Sequence, residues 1–184
     1  MSTDSQNLAA AIERWFHLNE DGEFSIVPAE VASARVGSSL TARTLIYTTK
    51  HHCLSRIEVS ELVQPTAALA RYGLPCGVDV EWLRGGSHEI TRLFFGDADP
   101  PDLLVFAWLR EHVSIQWAGV SDHFLKARGY NGRPDVQIRL ADSERAAVGE
   151  LARLCPGYRE LLGESCARLL ERGLKIELEG ALIR

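Results

Sequence analysis

Three groups of side chains in this sequence have types and spacings that could do chemistry. His51-His52-Cys53 is the densest set of possible metal ligands, and Cys76 and His88 could complete a tetrahedral N/S set for zinc. Neighbouring residues on a strand point to opposite faces, so the three cannot converge from regular β-structure. The spacing also matches no zinc signature. The group reads as a polar turn plus one buried thiol, and no metal is expected. A cysteine nucleophile would need a histidine nearby and a depressed thiolate pKa. Cys155 and Cys166 lie on or beside apolar helix faces and read as core, which leaves Cys53 and Cys76 as the more exposed thiols.

The second group is acidic: Glu20-Asp-Gly-Glu23 and Gly96-Asp-Ala-Asp99. Paired carboxylates can bind a divalent cation or do acid–base work. The run Asp97 to Asp102 has the outline of a calcium loop, but Pro100-Pro101 and the missing Gly and terminal Glu spoil it. A surface turn is the expectation. Glycine supplies no phosphate cradle and no nucleophile elbow, because G-x-x-x-x-G-K-[ST], G-x-G-x-x-G and G-x-S-x-G are all absent. No catalytic residue and no cofactor is expected.

The third group is basic. Lys126, Arg128, Arg133 and Arg139 surround Tyr130 on a Gly/Asn-rich stretch that holds a single acid, Asp135. The guanidinium fork pairs with carboxylates and phosphates and stacks on aromatic rings. Lys126, Arg128, Tyr130, Arg133 and Arg139 are therefore the expected partner- or anion-binding patch.

Composition bounds what these groups can serve. The chain has 184 residues, a formal net charge of −5, 46% hydrophobic and 24% charged residues, enough for one domain with its own core. A single domain over 1–184 is expected, with no repeat or linker to divide it. Residues 1–100 carry eight Lys or Arg against 13 Asp or Glu, so the first half is the acidic half. That balance disfavours a general nucleic-acid binder, whose phosphate contacts need a basic face. Of 20 basic residues 17 are Arg, and the three lysines are Lys50, Lys126 and Lys175. The start has no cationic and apolar signal regions, and no apolar run approaches a membrane span, so a cytoplasmic chain with no membrane partner is expected.

The elements that must hold these groups follow from periodicity. Residues 5–18 read as a helix with Leu8, Ile12, Trp15 and Phe16 on one stripe. Thr44 to Thr49 reads as a strand and Pro65 to Tyr72 as a short helix ended by Gly73. Val78, Val80 and Trp82 alternate with Asp79 and Glu81, and His88 to Phe95 is again β-rich. With Gly85-Gly86 between them these runs read as a hairpin, whose edge could accept a partner strand.

Residues 101–112 read as a buried helix, with a central strand as its rival, and Ser114 to Ala118 as a strand. Ser121 or Asp122 caps a short helix, and Val136, Ile138 and Leu140 mark a half-buried strand. A helix capped at Asp142 or Ser143 follows, then one from Tyr158 to Leu170 with Gly173 at its C′ position, then a strand through Leu174, Ile176 and Leu178.

The expected architecture is α+β: a mostly antiparallel sheet with helices packed on one face, an N-terminal helix and a C-terminal helix-helix-strand. The expected function is non-enzymatic binding of another macromolecule, most simply a protein or protein complex, as an accessory, inhibitor, immunity-type or adaptor subunit. The alternative is a small enzyme or ligand binder for an anionic substrate, with Arg128, Arg133 and Arg139 holding the anion and His123 or His88 as acid–base.

Overall fold

The computed structural model describes residues 33–51, 54, 65–85, 89–130 and 134–182. The expected N-terminal helix lies outside them, as do His52, Cys53, His88, Arg133 and the three acidic residues at 20–23.

Four parallel strands form the middle of the molecule: β2 (Thr44–Thr48), β3 (Thr66–Ala70), β4 (Thr91–Phe95) and β5 (Gln116–Trp117). The order is β1-β3-β2-β4-β5, where β1 (Ala34–Val36) is an antiparallel edge strand on β3. The sheet is thus mixed, and the expectation of a mostly antiparallel sheet is corrected; α+β as a class stands. The physical reason is the connections. The chain leaves β4 through α2 (Pro100–His112) and returns parallel, and a helix can span that crossover where a two-residue turn cannot.

Both faces of the sheet are covered. Leu45, Tyr47, Ala67, Leu69 and Phe94 pack with Val80 and Leu83 of α1 (Gly77–Arg84) and with the apolar side of α2. Ile46, Ala68 and Ala70 form a second cluster with Leu54 on the opposite face. Tyr47, Phe94, Phe106 and Trp117 make a ring-on-ring column at 5.3–5.5 Å between centroids. Such aromatic pairs contribute about 0.5–1.5 kcal/mol each beyond area burial.

Two local expectations fail here. Thr66–Ala70 is a wholly buried strand, not a helix, because its small side chains fit between β1 and β2, and that burial outweighs the helix propensity of Ala-Ala-Leu-Ala. Residues 77–84 are a helix, so the hairpin does not exist. Asp79 accepts the Cys76 backbone N–H at 3.1 Å and fixes the start; Val80 and Leu83 are buried, while Val78 is 65% exposed. The period is three to four, not two. Trp82 lies half-buried beneath the Arg35 guanidinium.

The C-terminal part adds α3 (Asp122–Ala127), β6 (Gln137–Arg139), α4 (Asp142–Leu154), α5 (Tyr158–Leu162), α6 (Glu164–Glu171), β7 (Leu174–Ile176) and α7 (Leu178–Leu182). β6 and β7 form a separate antiparallel ribbon. α3 starts as expected, with Ser121 Oγ accepting the Phe124 N–H. The long helix expected over 158–170 is instead two. Gly163, at φ +82°, turns the chain, and Asp122 accepts the N–H groups of Ser165 and Cys166 at 2.8 and 2.9 Å to start α6. Leu178 begins α7 rather than ending the strand. Among the described residues no helix is long and apolar enough to cross a membrane.

Candidate functional site

The carboxyl ends of β2 and β4 meet where the chain's direction of travel across the sheet reverses. From β2 it moves one way to β3, and from there it passes back over β2 to β4 and β5. In open α/β sheets ligands bind in the crevice at such a point. Here the loop after β2 supplies Lys50, the loop after β4 supplies Asp97 and Asp99, and the first turn of α2 supplies Asp102.

Local sequence builds the acidic side. Asp99 is the N-cap of α2, accepting the Asp102 N–H at 3.0 Å, with Pro100 and Pro101 in the first turn, where no N–H is needed. Asp102 in turn accepts the Asp97 N–H at 2.7 Å. A Cβ on Gly96 would stand 2.8 Å from the Asp102 carboxylate, and one on Gly119 would stand 2.4 Å from the Gly96 carbonyl oxygen. The two glycines let β4, β5 and α2 close on one another.

All three aspartates are at most 4% exposed, so the expected surface turn at 96–99 is corrected to a buried carboxylate cluster. Lys50 Nζ lies 2.6 Å from Asp97 Oδ2. Lys175 Nζ lies 2.8 Å from Glu144 and 3.8 Å from Asp99. Burial, then the charge of Asp99, pushes the Asp97 carboxyl up to about 7. Burial and neighbouring carboxylates raise Asp99 and Asp102 as well. Burial alone would lower Lys50, but the charges of Asp102, Asp97 and Asp99 outweigh it and hold the ammonium well above its ordinary range.

The crevice is therefore filled by the chain itself. Leu178 N–H donates to Asp97 Oδ1 at 2.7 Å, and Ala98 bridges Ile176, so β7 and α7 cap the carboxyl edge of the sheet. Among the described residues no group of three or more His, Cys, Asp or Glu is placed to hold a metal ion.

An open site lies on the other side of β7. A cleft of about 520 Å³ runs between α3 and α6 and along the β6–β7 ribbon. Leu125, Leu169 and Ile176 give it an apolar floor. Lys126, Arg168 and Arg172 bring cations to it, and Asp122 stands beside the first turn of α6. Asp122 is held below the usual carboxylate range by the α6 amides, against the opposing effect of burial. Cys166, in the cleft wall, is 1% exposed and its thiol is pushed up by burial and then by Asp122, so it is no nucleophile.

The expected patch is only partly brought together. Lys126 and Tyr130 line the cleft, but Tyr130 is 7% exposed and contributes wall rather than a free ring face. Arg128 is exposed just beyond α3, its guanidinium 5.7 Å from the Phe124 ring. Arg139 is exposed at the end of β6, and Arg133 falls outside the described residues. Arg168 and Arg172 join Lys126 here although they are distant in sequence. Their four-residue spacing on either side of Leu169 was the available signal, and alone it reads as an ordinary solvated helix face. Lys50 and Lys175 likewise gave no sequence sign of sharing one network.

No family model matches this sequence, and no curated protein is similar enough to count as a relative.

Proposed function

We propose that this chain is a non-enzymatic macromolecule-binding protein, an accessory, inhibitor, immunity-type or adaptor subunit, and that it meets its partner at the α3–α6 face. The observation that carries this reading is the cleft, open and apolar-floored with cations along it. Among the described residues Lys126 and Arg172 at this cleft make no ion pair, and Asp122, the carboxylate that also lines it, is engaged by the first amides of α6. The crevice at the carboxyl edge, the usual ligand place in such a sheet, is filled by Lys50, Lys175 and α7, which supports binding elsewhere. Arg and aromatic residues around a partly apolar centre are the composition of protein interface hot spots.

Affinity purification of the full chain with mass spectrometry, run in parallel on wild type and Lys126→Glu/Arg172→Glu, tests the reading. Specific partners should be lost in the double variant while its melting temperature stays within about 2 °C of wild type, as for exposed substitutions. Partners retained equally by both proteins would remove this face from the function.

The second reading is a small anionic ligand or substrate in the same cleft, since about 520 Å³ falls in the range of small-molecule pockets. It predicts a thermal upshift with inorganic phosphate or citrate that the double variant abolishes. No shift with either anion counts against it.

A further inference from the structure

The arrangement of the cleft specifies more than positive charge, and the partner chemistry it implies rests on the binding function proposed for this face. One wall is α6 with its C-cap, where Arg168 and the C-cap residue Arg172 are four residues apart and so share a face, with half-buried Leu169 between them in sequence. The other wall is α3, with buried Leu125 and exposed Lys126. The two walls meet at Asp122, whose carboxylate accepts the first amides of α6.

That contact gives the cleft a direction. The N-terminal amides of α6, which would otherwise attract an anion, already hold a carboxylate, so the Asp122 end repels negative charge. Arg168 shares its charge with Glu164 at 2.9 Å. Lys126 and Arg172 have no such partner among the described residues, and they are the groups left to receive an anion. An isolated ion would make no use of Leu125, Leu169 and Ile176. A nucleic acid would bring a row of phosphates past Asp122 on a chain of net charge −5.

We infer that this cleft docks an acidic segment of a partner protein that carries an aliphatic or aromatic side chain. The apolar group sits on the Leu125–Leu169–Ile176 floor, and the flanking carboxylates sit at Lys126 and Arg172. Apolar anchoring supplies dwell time, and the charges supply encounter rate and register.

The test is selection from a displayed library of random short peptides against the full chain. Enriched peptides should combine an apolar residue with several Asp or Glu. Their affinity should fall at least about tenfold in Lys126→Glu/Arg172→Glu and fall again in Leu169→Ala, with circular dichroism melts showing each variant folded. No enrichment, enrichment of neutral or basic peptides, or equal binding by the double variant overturns the inference. So does displacement of the peptide by a single-stranded oligonucleotide of higher affinity.

The failures are separable. If partners from affinity purification are still lost on charge reversal while no acidic peptide is enriched, binding at this face stands and the acidic segment does not. If those partners ignore charge reversal, the face itself is wrong.

Discussion

Lys50 and Asp97 face each other across the carboxyl ends of two adjacent parallel strands, ammonium nitrogen to carboxylate oxygen at 2.6 Å, with Asp97 wholly buried. The pair is the centre of a network in which, among the described residues, Asp97, Asp99, Asp102 and Glu144 share Lys50 and Lys175 as close cations. Carboxylates outnumber ammonium groups, and that imbalance sets how the protein responds to substitution and to pH.

Lys50→Met removes the counter-ion of Asp97 and leaves buried carboxylates facing one another. Breaking a buried pair from one side costs about 3–5 kcal/mol. Guanidinium denaturation at pH 7.5 should show a loss in that range, and a smaller one at pH 5, where protonation relieves the carboxylates. A variant as stable as wild type at pH 7.5 would show that Lys50 does not carry this charge.

Stability should fall as pH rises from about 5 to 8. Asp97 has a folded-state pKa raised to about 7 from 3.8. The folded protein therefore holds a proton that the unfolded chain gives up earlier. Ionising it in the folded state is unfavourable, by on the order of 2 kcal/mol over this interval. Lys50, held above its ordinary range, keeps its charge throughout and adds no slope. Asp79 and Asp122, both lowered, lose their contribution only below about pH 4, outside the window. Asp99 and Asp102, raised as well by burial and by neighbouring carboxylates, add slope of the same sign. Asp97→Asn should therefore reduce the slope without abolishing it, read as melting temperature against pH. A wild-type slope of the opposite sign would contradict the buried network.

Gly163→Ala should destabilise by about 1–3 kcal/mol. The residue has φ +82°, and an added Cβ would stand 2.6–2.7 Å from the Asp122 carboxylate. Gly149→Ala is the control, because it sits inside α4 with open space around it and should stabilise by about 0.5–1 kcal/mol. Thermal melts of the two variants moving in the same direction would argue against the break between α5 and α6.

How much of this was legible in the sequence divides along physical lines. Elements with their own punctuation were readable: α2 after Asp99-Pro-Pro, α3 after Ser121, α4 opening at Asp142, and the end of α6 at Gly173, where φ is +77°. Elements decided by long-range contacts were not. Thr66–Ala70 becomes a strand only because β1 and β2 flank it. Asp97, Asp99 and Asp102 look like a polar turn until the parallel neighbour brings Lys50 to them. The cleft has the same character, since Lys126 was readable as basic, whereas its pairing with Arg168 and Arg172 depends on α3 packing beside α6.

The scarcity of lysine has a practical consequence. Lys50 and Lys175 keep side-chain exposures of only 21% and 14% and are occupied by carboxylates. Lys126 is exposed at the mouth of the cleft. Among the lysines, an amine-directed reagent meets a single accessible ammonium, because arginine does not react as an amine does. Among the lysine side chains, mild acylation would concentrate at Lys126 without any engineered cysteine, and protection of that side chain, read by peptide mapping apart from any α-amino reaction, would report when the cleft is occupied.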